Sequence, residues 1–298
     1  MLRHNYWFSI ILPALVMSLC FCSCTRRKVD AALTRVNVPD VASAAVETLL
    51  PENGVPTALE PDLTSDEPNA SEVVPSPELP EESDSPSTGP VLPAREKVDD
   101  GFFADAAFFG NSLMEGLSGF GGLENGTFFA HAKTALYNMD TELSAVLDGG
   151  DAGTIYQALT QQQYGKIYVL LGLNEIGWDA DFFAERYEVF LERLRQDEPN
   201  AEIYIISLSP VTREVSESHD FFNMDRVRDY NTALLALAER TGCWYVDLCQ
   251  ALAGEDGYLP AECAAVDGLH FTTDAYLLWA DYLRTHYADP SAADVSPH

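Results

Sequence analysis

Basic residues are scarce in this chain. Its 298 residues hold 17 Lys and Arg against 47 Asp and Glu, a formal net charge of −30. A surface so acidic repels phosphate backbones and anionic headgroups, which argues against nucleic acid as a partner. Aromatic residues are missing from 29–101, and between Pro51 and Ala94 there are ten Pro, ten acidic residues and no Lys or Arg. That composition cannot build a core, and its prolines keep the chain extended. No G-x-S-x-G, H-E-x-x-H or P-loop pattern occurs. Their absence argues against the larger hydrolase fold built on a nucleophile elbow, against a zinc-binding helix and against a phosphate cradle. No group of His and Cys has metal-ligand spacing, so neither a metal nor a cofactor is expected. The glycines of SGFGGLENG do not fit a dinucleotide fingerprint and are read as a loop near the rim of the site.

What is present begins with a targeting segment. Arg3 and His4 precede an apolar run from Trp7 to about Phe21, and Arg26, Arg27 and Lys28 follow it. At roughly 15 residues the run has the length of a signal-peptide core and is short for a bilayer span. Cys20, Cys22 and Cys24 crowd its end. Cys24 after Ser23 resembles the lipid-carrying Cys of a bacterial lipoprotein signal, with Phe21 where such signals usually carry Leu. Residues 1–28 are read as a signal peptide, lipoprotein signal or membrane anchor, and 29–100 as a disordered acidic Pro-rich linker. A folded domain is expected over 101–289 and a disordered tail over 290–298. These segments predict an exported protein, a cell-surface lipoprotein or membrane-anchored and otherwise secreted, tethered to membrane only through its N-terminus. A cleaved pro-segment is the other reading of the linker.

Order is expected from Phe102. Short β-rich runs alternate with amphipathic stretches, the pattern of βα units on a mostly parallel sheet. Strands are predicted at 104–109, 127–130, 166–171, 202–208 and 244–248. Helices are predicted at 112–117, 141–147, 154–162, 181–196, 225–241 and 273–287, with Asp181 and Thr273 as caps. Phe183, Tyr187, Phe190, Leu191 and Leu194 recur on one helical face. Phe108, Phe109, Phe128 and Phe129 are assigned to the core. Cys243 and Cys249 lie too far apart along one predicted strand to bridge, which leaves Cys263 as a buried free thiol or as a partner of Cys249.

Ligands of open parallel sheets bind beyond the carboxyl ends of the strands. Three polar segments fall at such ends: Gly110-Asn111-Ser112, Gly172-Leu173-Asn174-Glu175, and Asp267-Gly268-Leu269-His270. A serine hydroxyl becomes a nucleophile when a base takes its proton, and His270 is the base placed for it. Asp267 can fix the imidazole tautomer from the other ring nitrogen. The Ser112 backbone N–H and the Asn174 amide can donate to an oxyanion. Taken singly, Ser112 reads as a helix cap, Asn174 as a turn residue, Glu175 as a solvated charge and His270 as a loop histidine. Their common position at strand ends gives them a joint meaning.

These segments resemble the SGNH/GDSL hydrolases. The family's Gly-Asp-Ser block matches Gly110-Asn111-Ser112, its Gly-x-Asn block Gly172-Leu173-Asn174, and its Asp-x-x-His block Asp267 to His270. The phrases LLGLNEIGW, SLSPVTREVS and GYLPAECAAVDGLHF are similar to a bacterial extracellular subgroup. The resemblance implies a flavodoxin-like three-layer α/β/α sandwich with a mostly parallel five-stranded sheet. It also implies a serine esterase with Ser112 as nucleophile, His270 as base, Asp267 as its orienter and Asn174 as oxyanion donor. Asn111 and Glu175 are then supporting residues. Asn111 stands where the family has Asp, which removes a charge and keeps hydrogen-bonding capacity. The family's second block supplies a Gly whose N–H completes the oxyanion hole, and Lys133 falls at that place. The Lys133 backbone retains an N–H, although Gly reaches backbone angles that Lys does not favour.

The expected activity is hydrolysis of small acyl esters, acetyl foremost, on an extracellular glycan. The alternatives are a weakened, glycan-binding surface protein of the same fold, or an acyl hydrolase of the lipase or thioesterase kind. Residues 1–100 contain 16 acidic and 7 basic residues, and the remaining 198 contain 31 and 10. The folded domain itself therefore carries most of the negative charge, which disfavours polyphosphates and polyuronates as substrates.

Overall fold

The computed structural model describes residues 89–289. The proposed signal segment with Cys24, the linker up to residue 88 and the tail over 290–298 lie outside the described residues. Strands β1 (Ala106–Gly110), β2 (Thr127–Ala130), β3 (Ala145–Val146), β4 (Ala152–Gly153), β5 (Lys166–Leu170), β6 (Glu202–Ile206) and β7 (Trp244–Val246) form two sheets. The larger has the order β2-β1-β5-β6-β7, and every neighbouring pair in it is parallel. Strands β3 and β4 make a separate antiparallel ribbon. Counting only the large sheet, this is the flavodoxin-like order, whose reversal point lies between β1 and β5.

The helices are α1 (Ser112–Phe120), α2 (Ile155–Leu159), α3 (Ala180–Asp197), α4 (Arg213–Ser218), α5 (Met224–Thr241), α6 (Leu248–Leu252) and α7 (Thr273–Thr285). The crossover from β1 through α1 steps towards β2, whereas that from β5 through α3 steps towards β6. With right-handed crossovers the two helices cover opposite faces. Side chains agree with this. Phe109 stacks on Phe190 of α3 with ring centroids 5.7 Å apart. Its neighbour Phe108 turns to the other face, where Phe128, Phe108, Tyr168 and Tyr204 stack across four strands at 4.6, 4.8 and 4.4 Å. Phe108 and Phe109 are fully buried, and Phe128 and Phe129 half-buried. On α3 the predicted apolar face is the buried one.

Several expectations need correction. The predicted helix at 141–147 is a turn leading into β3. The N–H groups of Thr141 and Glu142 both bond the Asn138 carbonyl, and Leu143 and Val146 are exposed. Without an apolar face to bury, so short a helix has nothing to hold it. The caps of α3 and α7 are Asp179 and Thr272, not Asp181 and Thr273. Strand β7 stops at Val246 because Asp247 caps α6 by accepting the Gln250 N–H at 3.0 Å, so Cys249 lies on a helix. The three described cysteines are free, and Cys263 is half-buried. The glycine-rich segment does not border the site. Its first residues finish α1, and the rest leads into the start of β2, at the opposite end of the parallel strands from Ser112. The fold also reaches further towards the N-terminus than 101. Leu92 is buried, Tyr245 N–H donates to the Pro90 carbonyl at 2.8 Å, and Val91 bridges Tyr245 in parallel. Prolines are tolerated there because they lie along a sheet edge.

Candidate active site

The chain leaves β1 at Gly110 and enters α1 at once. Asn111 is the N-cap, its Oδ1 accepting the Leu113 N–H at 3.1 Å. Asn111 is fully buried, and its Nδ2 has no partner among the described residues. Because Asn111 does the capping, the Ser112 hydroxyl has no part in it. Ser112 is 9% exposed, and its Oγ lies 2.8 Å from His270 Nε2. Its backbone N–H occupies the first helical position, where no intrahelical acceptor exists.

His270 is presented by a tight turn. Asp267 Oδ1 accepts the N–H groups of Leu269 and His270, both at 3.0 Å. Its Oδ2 lies 2.6 Å from His270 Nδ1. The turn needs Gly268, whose φ is +70° and whose carbonyl accepts the Thr212 N–H at 3.1 Å. A Cβ at Gly268 would meet the Thr212 and Val215 side chains, both at 2.5 Å. Burial alone would raise the Asp267 carboxyl, but the His270 side chain and the two turn N–H groups hold it down at about 2. An ionised Asp267 accepts from Nδ1–H, which leaves the Nε2 lone pair facing the Ser112 hydroxyl.

The loop after β2 forms the third side. Asn174 Nδ2 donates to the carbonyls of Ala132 at 3.0 Å and Thr134 at 2.8 Å. Asn138 closes the loop on itself, donating to the Lys133 carbonyl and accepting the Ala135 N–H. Lys133 is exposed, and its N–H has no acceptor among the described residues. Glu175 is 1% exposed, so it is not a solvated charge. Its Oε1 accepts the Leu136 N–H at 2.5 Å and its Oε2 the Gly172 N–H at 3.0 Å. Burial pushes its carboxyl up to about 7 despite those bonds.

Ser112, Asp267 and His270 are thus brought into one hydrogen-bonded row. Asn174 joins the site through the loop, with both amide protons directed at carbonyls in this structure. Sequence reasoning missed Glu115, one turn beyond Ser112 on the same helix. Burial raises its carboxyl, while the Ala132 N–H and the nearby His270 oppose that rise. The i, i+3 spacing from a candidate nucleophile was the available signal. A cleft of about 780 Å³ borders the back of the turn, lined by Thr212, Arg213, Tyr258, Asp267 and Gly268, and neither Ser112 nor His270 lines it. No group of three metal-ligating side chains occurs among the described residues.

No curated protein matches the chain. Among solved structures it is similar to a GDSL-like lipase from Bacteroides thetaiotaomicron VPI-5482, at 14% identity over 60% of this chain and 85% of that one, with a TM-score of 0.45. It is also similar to an acetyl xylan esterase, at 14% identity over 60% and 96%, with a TM-score of 0.43. The model of the GDSL-like Lipase/Acylhydrolase family matches residues 108–278. That match runs from β1 to α7 over more than half of the chain, so the protein belongs to the GDSL-like lipase/acylhydrolase family.

Proposed function

We propose that this hydrolase is an exported serine esterase that removes a small acyl group, acetyl foremost, from a neutral or weakly charged glycan. One observation carries the reading: Ser112 Oγ, His270 and Asp267 are joined at 2.8 and 2.6 Å at the carboxyl edge of the sheet. His270 Nε2 takes the hydroxyl proton as Oγ attacks the ester carbonyl carbon, and the imidazolium is held by Asp267. Negative charge then develops on the former carbonyl oxygen. The Ser112 and Lys133 backbone N–H groups are the donors with no competing acceptor. Asn174 contributes by sharing a proton it now gives to Ala132 or Thr134. His270 passes its proton to the departing alkoxide oxygen, and the alcohol leaves. A water gives a proton to the same nitrogen, its oxygen attacks the acyl-serine, and the acid departs as the proton returns to Oγ.

The acetyl preference rests on the family and on the absence of an apolar groove in the sequence. Export rests on the apolar run after Arg3 and the basic residues behind it. The acidity of the domain supports a neutral glycan over an anionic one. Hydrolysis of a p-nitrophenyl acyl series by the full chain, beside Ser112→Ala, tests the reading. Turnover by the wild type should fall by roughly 10⁶-fold in the variant. Equal, slow turnover by both proteins rejects the esterase and favours a glycan-binding surface protein of the same fold.

A further inference from the structure

Glu175 is the most buried charged side chain beside the site, and the acyl-transfer steps do not use it. It is the point at which two backbone segments meet. One carboxylate oxygen takes the Leu136 N–H from the loop after β2, and the other takes the Gly172 N–H at the exit of β5. Its own backbone is fixed as well. The Glu175 carbonyl accepts the Trp178 N–H at 2.7 Å and the Tyr230 hydroxyl at 2.5 Å. Arg226, on the same helix as Tyr230, donates to the Ile176 and Trp178 carbonyls at 3.2 and 2.9 Å. Gly172 has a φ of +120°, and its missing Cβ lies 2.8 Å from the Phe183 ring, so the β5 exit is locked against α3.

We infer that Glu175 is a positioning residue for acyl transfer: its carboxylate ties the loop over 131–138, and the Lys133 N–H on it, to the rigid exit of β5. The inference rests on the acyl-transfer reading above. Asn174 holds the Ala132 and Thr134 carbonyls on either side of Lys133, and Glu175 holds Leu136 three residues further on. Together they fix the loop at three points. Loops carry few internal constraints, and an oxyanion donor must sit within a few tenths of an ångström of its target. The carboxylate suits the task because each oxygen faces one N–H donor. Protonation turns one of those oxygens into a hydroxyl, a weaker acceptor that also carries a donor, and an amide replaces one oxygen by a donor outright, so in either case one buried N–H is less well satisfied.

That requirement makes the anchor sensitive to protonation. Burial raises the Glu175 carboxyl to about 7, so it gains a proton on mild acidification. The ionisable groups its charge reaches are Tyr137 on the loop, Tyr187 on α3 and Tyr230 on α5, all raised by burial and neutral near pH 7. Arg226 spends its bonds on carbonyls, and no cation pairs with the Glu175 carboxylate among the described residues. Acidification is therefore expected to release either the Leu136 or the Gly172 N–H.

The experiment combines amide hydrogen exchange with steady-state kinetics on the full chain, wild type and Glu175→Gln, with exchange corrected for intrinsic rates. In the wild type, protection of peptides covering 131–138 should drop by about tenfold between about pH 8 and about pH 6, while α7 peptides keep theirs. In Glu175→Gln the loop should be poorly protected at both pH values. Its kcat for p-nitrophenyl acetate should fall by about 10²-fold, the order expected of a displaced donor, with KM little changed. The wild-type exchange arm stands even if the variant does not fold. Loop protection that ignores both pH and the substitution, beside normal wild-type turnover, overturns the anchor alone. A wild type that hydrolyses no ester overturns the acyl-transfer reading instead, and exchange still decides whether Glu175 holds the loop.

Discussion

Gly116 on α1 and Tyr276 on α7 touch with no room for a methyl group between them, since a Cβ at Gly116 would overlap the phenol ring. The contact packs the helix that begins with Ser112 against the helix that starts three residues after His270. Gly116→Ala would normally stabilise a helix interior by about 1 kcal/mol. Here overpacking dominates, and we expect a net loss of about 1–2 kcal/mol in urea unfolding, with kcat reduced more than KM is altered. Adding Tyr276→Leu should restore part of both. A double-mutant cycle with no coupling would separate this contact from the site.

Asp267 makes the acid side of stability predictable. Its carboxyl is opposed by burial but pulled down to about 2 by His270 and the turn N–H groups, against an ordinary value of 3.8. Between those values the unfolded chain binds a proton that the folded one refuses. The stabilisation is thus complete above about pH 4 and is lost as the pH falls through about 2, amounting to about 2 kcal/mol. Asp267→Asn should remove that slope from the acid unfolding curve. It should also lower kcat by about 10⁴-fold, because the imidazole tautomer is no longer dictated. An unchanged acid slope in the variant would show that other carboxylates carry it.

Lys133 is expected to act through its backbone. Lys133→Ala keeps the N–H and should leave turnover within about threefold of the wild type. Lys133→Pro removes the N–H and should reduce kcat by about 10²–10³-fold, with thermal unfolding measured beside it because Lys133 is the third residue of the His131–Thr134 turn, where Pro is disfavoured. If Lys133→Ala is as damaging as Lys133→Pro, the side-chain ammonium is what matters near the oxyanion. Kinetics on the two variants at one pH decides between these.

The parts of this molecule legible in the sequence share a physical cause. Ser112 opens the helix that follows β1, and Asp267 and His270 share a short turn just before α7; local backbone chemistry fixes each position, whereas their joint role was read from the family resemblance. The face of α3 was legible because Phe183 to Leu194 repeat at helical period. Glu175 was not, because its burial comes from the loop over 131–138 folding across it, a contact 39 residues away in sequence. The segment 141–147 looked helical by composition, yet Leu143 and Val146 lie exposed among the described residues, and missing tertiary contacts cannot be read from a window of sequence. Cys249 was misplaced because Asp247, a cap, ended the strand two residues before it. Glu115 was overlooked for the opposite reason: an acid in a first helical turn is ordinary, and only its closeness to Ala132 and His270 singles it out.

Glu175 should set stability and turnover against each other. Its carboxyl is raised from 4.5 to about 7 by burial, only partly offset by the Leu136 and Gly172 N–H groups. Between those values the folded chain keeps a proton that the unfolded chain has released, so stability falls as the pH rises. The contribution is complete below about pH 4.5 and lost through about pH 7, a swing of about 3 kcal/mol. Glu175→Gln lacks the titration. The stability of the wild type relative to the variant should therefore drop by about that amount between about pH 5 and about pH 8, as read by urea unfolding at each pH. Above neutrality the variant is expected to match or exceed the wild type in stability while turning over more slowly. A constant stability difference across the range would mean that the carboxylate is already stabilised as an ion in the folded chain. Among the described residues no cation pairs with this carboxylate, so its ionisation near neutral pH is held by the Leu136 and Gly172 N–H groups, as the positioning proposal requires.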